Sequence, residues 1–358
     1  MYSIIIVMKS IICVFIYCFV LNCVSGQSSV SSQINASNPP AIALSPLRFL
    51  ASDELMGRSS TRPEINIAAR YISESFRSFG LKTINGLPDY FQPFDLKYRF
   101  ENAEEANSSA DSSLKSVPAK NVMGWVEGTD PELKNEFIVL SSHYDHLGIA
   151  KHPKMEEGKL DSIYNGARDN AIGTAAVIDA ARYFARYPAK RSILFVTFTG
   201  EEMGLLGSIY FAEHPPLPLK QLVYDLNIDN ASYNDTTAIT LVGLGRTSAD
   251  EDIRKACAAY GLTILPDPLS GRLFYGSDNL PFAQKGIPAP TFSLGMKSFD
   301  QSILNRYHQL SDEVDNLNLS YAMKFIHSFI LSAKYIADNP SKPKWTKGDK
   351  FEDANRLK

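Results

Sequence analysis

Residues 165–204 read NGARDNAIGTAAVIDAARYFARYPAKRSILFVTFTGEEMG. Two textures meet here. From Ile172 to Tyr187 the chain is Ala-rich, with apolar residues at helical spacing. Ile193-Leu194-Phe195-Val196 is then apolar throughout and exits into Thr199-Gly200-Glu201-Glu202. A strand with one wet face alternates apolar and polar residues, whereas a continuously apolar strand is covered on both faces. A helix leading into such a strand is the unit from which parallel sheets are built.

The same texture continues in both directions. Phe137-Ile138-Val139-Leu140 ends in Ser141-Ser142-His143, Leu226-Asn227-Ile228 ends in Asp229, and Pro290 to Leu294 is another apolar run. Helical periodicity marks Pro63 to Phe79, where Gly80 stops it, and Met323 to Ile336. The expected fold is α/β: three α/β/α layers with a mostly parallel central mixed sheet. No internal repeat is visible.

Composition narrows the function classes. The 358 residues are 44% hydrophobic with a formal net charge of -3, which excludes a disordered chain. There is no basic excess to neutralise phosphates, so nucleic acid is not an expected partner. Lys9, the apolar run Ile11–Leu21 and the small residues up to Gly26 have the layout of an export signal covering 1–26, which implies a periplasmic or secreted protein. Lipidation at Cys23 is the variant that would add a membrane anchor; otherwise no membrane partner is expected. Losing 1–26 removes Cys13, Cys18 and Cys23 and leaves Cys257 alone, so no intrachain disulfide is expected. Residues 27–45 read as a polar tether, 46–340 as one domain, 101–117 as a surface loop within it, and 341–358 as a polar tail extending from it.

The acids and histidines collect where the strands exit. His143 and Asp145, Glu201 and Glu202, and Asp229 all follow apolar runs; Asp169 precedes the Ala-rich helix; His308 follows Tyr307. In an α/β sheet, sites lie beyond the carboxyl ends of the strands. Taken singly, each feature has a plainer reading: a loop His, a solvated Glu pair, a capping Asp. Their joint position at equivalent exits favours a divalent ion, zinc first.

These segments carry a resemblance. Ser142-His143-Tyr144-Asp145-His146, Asn165 to Asn170, Thr199 to Ser208, Asn227-Ile228-Asp229, Ser277-Asp278-Asn279, Gly286-Ile287-Pro288 and Tyr307-His308-Gln309 occur in the order seen in the zinc-dependent exopeptidases of the bacterial leucyl aminopeptidase and glutamate carboxypeptidase family, the co-catalytic dizinc peptidases. Leu50 to Arg58 resembles the segment that opens many members, and the likeness runs from about 48 to 337.

The resemblance implies two Zn2+ per chain. Asp169 would bridge them, His143 and Asp229 would complete one shell, and Glu202 and His308 the other. Asp145 would hold His143 from behind, Glu201 would be the general base, and Tyr307 would donate a hydrogen bond to the oxyanion. The Asp169–Asn170 peptide is expected to be cis, as in relatives. The implied activity is that of an aminopeptidase hydrolysing the N-terminal residue of peptides through a dizinc-bound hydroxide. Alternatives are a carboxypeptidase or dipeptidase mode, glutaminyl cyclisation, or a non-catalytic binding module. Two departures stand out: Arg168 occupies a place where many aminopeptidases have an acid, and Asn279 one where a His is frequent. The substrate pocket is expected around Tyr233, Phe274 to Asp278 and Tyr307. Side-chain preference and oligomeric state are not legible.

Overall fold

The structure, a computed structural model, describes residues 29–98, 115–156 and 158–354. The expected signal over 1–26 and most of the expected loop over 101–117 lie outside these residues; 115–117 belong to a strand.

The strands are β1 (Phe91–Tyr98), β2 (Lys115–Val126), β3 (Phe137–His143), β4 (Gly148–Glu156), β5 (Lys159–Tyr164), β6 (Ser192–Phe198), β7 (Leu222–Ile228), β8 (Ala238–Val242), β9 (Thr263–Pro266) and β10 (Thr291–Leu294). The helices are α1 (Val30–Ser37), α2 (Pro40–Leu50), α3 (Ile65–Phe79), α4 (Ile172–Arg186), α5 (Leu206–Glu213), α6 (Asp250–Ala259), α7 (Asn279–Gln284), α8 (Gln301–Leu304) and α9 (Leu319–Asp338). One sheet runs β1-β2-β6-β3-β7-β10-β8-β9, and β4 with β5 forms a separate hairpin. β6, β3, β7 and β10 are parallel; β1 and β2 pair antiparallel with their neighbours, β8 is antiparallel to β10, and β9 is parallel to β8.

This is the expected three-layer mixed sheet, and the continuous apolar runs are its centre. Every residue of β3, β6 and β7 is buried. Alternate residues serve opposite faces. Ile138, Leu140, Ile193 and Phe195 join α3, α4 and α9 in one core, whereas Phe137, Val139, Leu194 and Val196 meet Phe211 and Phe282 of α5 and α7 in another.

Both ends of the chain correct the sequence reading. Within the expected tether over 27–45, the described residues 29–45 are folded: α1 and the start of α2 take up 30–37 and 40–45, and Ile34, Ala43 and Leu44 are buried. One of the polar residues there caps a helix. The Ser29 hydroxyl accepts from the Ser32 N–H, and Pro40 stands in the first turn of α2, where a missing N–H costs nothing. Nor do residues 341–354 extend from the domain. Trp345 and Phe351 pack with Phe274, and Arg246 lies 4.0 Å from the Phe274 ring with its Nε and Nη2 donating to Asp349. The lysines of this segment masked its two aromatic anchors.

Candidate metal centre

Three neighbouring parallel strands end side by side. His143 closes β3, Asp229 follows β7, and Glu201 and Glu202 follow β6 through the Thr199-Gly200 turn. Asp169 comes from the turn Ala167–Ala171 that leads into α4, and His308 from the segment after α8. Gly166 opens the Asp169 turn at φ 58, and a Cβ there would lie 2.2 Å from the Asp169 carbonyl oxygen, so only glycine fits. The Asp169–Asn170 peptide is cis, as expected.

Asp169 is central. Its Oδ1 lies 3.3 Å from His143 Nε2, and its Oδ2 lies 3.1 Å from His308 Nε2. His143 Nε2 is in turn 3.2 Å from Asp229 Oδ1, and His308 Nε2 is 3.2 Å from Glu202 Oε2. Two triads therefore share one carboxylate, one oxygen each. Ligand atoms at about 2.0–2.1 Å from a tetrahedral ion stand about 3.3 Å from one another. The observed edges have the length that a divalent cation in each triad requires.

Capping does not account for Asp169, because α4 has no side-chain cap. Among the described residues, the ion-pair partners of Asp169, Glu202 and Asp229 are all histidines.

The electrostatics point the same way. Burial pushes the Glu201 carboxyl well above its usual range; His143 opposes this, while Asp229, Asp278 and Glu202 add to it. Burial disfavours the charged form of His308, but Asp169 and Glu202 outweigh it and raise the imidazole to about 10. His143 rises against burial through Glu201 and Asp229. Asp169 falls below the usual range despite burial, through His143 and His308. Buried negative charge in excess of what the histidines neutralise is the setting in which cations bind.

The two adjacent glutamates diverge. Glu201 lines an open cleft together with Asp229, Tyr307 and His308, and Leu273, Met296 and Phe299 form its apolar part. Glu202 turns inward to His308 and His146. The Tyr307 ring stacks on His308 at 4.0 Å. Burial and the surrounding acids push its phenol up, which leaves the hydroxyl a donor. Asp145 meets His143 Nδ1 through its carbonyl oxygen at 3.2 Å, with Oδ1 farther away at 3.7 Å. Tyr233 does not line the cleft; it lies under Arg168 and beside Tyr321.

Arg168 points away from the centre. Its Nη1 donates to Asp312 Oδ1 at 2.8 Å and its Nη2 to the Asn316 carbonyl at 2.9 Å. Asp312 Oδ2 also accepts the N–H groups of Arg168 and Asp169, at 2.9 and 3.1 Å. The charge that departs from the family pattern is thus neutralised by Asp312, and the pair ties the His308 segment to the Asp169 turn.

The sequence reading assigned no role to three supporting residues. His146 is buried and its Nδ1 lies 2.7 Å from Glu202 Oε1; its place in the His143–His146 run was the available signal. Arg58 is buried and donates to the carbonyls of Leu50, Tyr144, Asn165 and Gly166. It lay in the segment that carried part of the resemblance. Ser60, which contacts Asp145, had no signal at all.

Residues 121–331 match the family described as Peptidase family M28. The chain belongs to that family. Among curated M28 relatives, Aminopeptidase YwaD of Bacillus subtilis is 25% identical over 229 residues, which is 61% of this chain and 46% of that protein. A solved zinc aminopeptidase from Bacillus subtilis shares the fold at a TM-score of 0.63 and 16% identity, covering 85% of this chain and 97% of its own. The glutaminyl cyclase of Porphyromonas gingivalis does so at a TM-score of 0.60 and 13% identity, covering 82% and 97%. The M28 fold is thus shared by proteins of two activities. The chain spans less than half the length of the curated relatives it matches.

Proposed function

We propose that this chain is an exported zinc-dependent aminopeptidase that holds two zinc ions per chain and hydrolyses the N-terminal residue of peptides. The observation that carries this reading is the division of Asp169: one carboxylate oxygen faces His143, whose Nε2 meets Asp229, and the other faces His308, whose Nε2 meets Glu202. Those five side chains would hold the metals.

Zinc bound there supplies Lewis acidity, polarising a carbonyl and making water acidic near neutral pH. The protein does the rest. Glu201 faces the cleft and takes the proton of the attacking water, then passes it to the departing amine. The Tyr307 hydroxyl donates to the developing oxyanion. Leu273, Met296 and Phe299 line the same cleft and suit an apolar side chain.

Glu201→Gln tests the reading. The variant is expected to keep two zinc ions by elemental analysis and to lose about 100-fold or more of kcat on leucyl and alanyl amides. Wild-type turnover would remove Glu201 as the base. Activity confined to N-blocked peptides would shift the assignment to a carboxypeptidase mode, and a stoichiometry of one zinc with cyclised product to glutaminyl cyclisation. Export is checked by the mass of the secreted chain, expected to begin at Gln27.

A further inference from the structure

We propose that Ser60, which lies outside the 121–331 family match, is a positioning residue of the metal centre that holds the His143 exit and the Glu201 exit in register. The inference rests on the reading of His143 as a metal ligand and Glu201 as the base.

β3 and β6 are paired as far as His143 and Phe198, and the Tyr144 N–H still reaches the Phe198 carbonyl at 2.8 Å. Both chains then turn, β6 through Gly200 at φ 76. The residues that do the chemistry stand just past this last rung, where the ladder no longer sets their spacing.

Ser60 spans that place. Its hydroxyl donates to Asp145 Oδ2 at 2.9 Å and accepts from the Gly200 N–H at 2.9 Å. Thr199 Oγ1 is 2.8 Å away. A hydroxyl has one proton and two lone pairs. Because the carboxylate takes the proton, Thr199 must be the donor in the third contact, and the capacity of Ser60 is fully used. The other Asp145 oxygen accepts the Glu201 N–H at 3.3 Å and lies 3.7 Å from His143 Nδ1. Ser60 therefore grips the turn before Glu201 directly, and grips the residue that contacts both Glu201 and His143.

The segment carrying Ser60 is itself fixed. Arg58 donates to the carbonyls of Tyr144 at 2.9 Å, Asn165 at 2.6 Å and Gly166 at 3.2 Å, and its own carbonyl accepts the His146 N–H at 3.2 Å. Residues 58–60 thus bridge the β3 exit, the β6 exit and the turn before Asp169. Ser60 is 4% exposed, so replacing it with alanine leaves Asp145 Oδ2 and the Gly200 N–H without this partner and with little access to water.

The test compares Ser60→Ala, Ser60→Thr and Glu201→Gln in the full zinc-loaded chain. Ser60→Ala is expected to lower kcat on leucyl amide 10- to 100-fold at saturating zinc, with KM within about two-fold and the unfolding temperature lower by about a few degrees. Chelator competition is expected to show one zinc released about 10-fold more readily. Ser60→Thr, which keeps the hydroxyl, is expected to recover most of kcat. A wild-type kcat in Ser60→Ala overturns the proposal, as does a lower unfolding temperature with kcat intact. Should Ser60→Ala not fold, Ser60→Cys, of similar shape but a poor donor, replaces it, and a wild-type kcat there overturns the proposal too. Full turnover in Glu201→Gln removes the underlying functional reading; loss in Glu201→Gln with none at Ser60 removes this inference alone.

Discussion

Asp169 shows how far one residue can be read. Its position before a helix was legible, and so was its membership of a set of acids at strand exits. The division of its two oxygens between two histidines was not, because side-chain direction depends on the turn at Gly166 and on Asp312 accepting its N–H. Asp169→Asn is expected to release both zincs, read by elemental analysis after dialysis, since an amide keeps the shape but gives up the charge both triads need. Arg168 teaches the converse. Its type put the local charge beside Asp169 in question, whereas its guanidinium is neutralised by Asp312. Arg168→Ala is expected to loosen the His308 segment, leaving Asp312 buried without its cation and lowering the unfolding temperature by an amount corresponding to about 3 kcal/mol. Unchanged stability would show that the pair does not tie the two segments.

At the scale of elements, the central strands were the most legible part. β3, β6 and β7 are apolar from end to end because both faces are covered, and only a two-sided core demands that pattern. α1, and the start of α2 that the sequence reading also gave to the tether, were lost among Ser, Asn and Pro. Their apolar residues are few: in α1 the buried contact is Ile34, and of its polar neighbours Ser29 caps the helix. Ile34→Ala is expected to cost about 2–4 kcal/mol, measured by denaturant unfolding. The C-terminal segment misled for the opposite reason, because Lys residues surround Trp345 and Phe351. Truncation after Pro340 is expected to expose Phe274 and lower the unfolding temperature by several degrees, with catalysis retained at low temperature.

At the scale of the molecule, charge is unevenly buried. Burial pushes the Glu313 carboxyl up to about 8, with Asp161, Asp53, Asp312 and Asp315 adding to the effect. In the unfolded chain a Glu titrates near 4.3. Between those values the folded state holds a proton that the unfolded state has released, so this group's contribution to stability falls as pH rises from about 4.3 to 8. Glu313→Gln is expected to flatten that decline, with unfolding temperatures that match wild type near pH 4 and exceed it near pH 8. Parallel curves across the range would show that Glu313 does not titrate in this way.

The order of the strands has one more consequence. β6, β3 and β7 are immediate neighbours, and adjacent strands lie about 4.8 Å apart whatever their side chains. The sheet therefore acts as a ruler up to its last rung: the points at which the three arms leave it are spaced by a dimension of the peptide backbone that no substitution can rescale. The loops that form the cleft, around Leu273, Met296 and Phe299, carry no such standard. Substrate preference is free to drift while the spacing beneath it stays fixed.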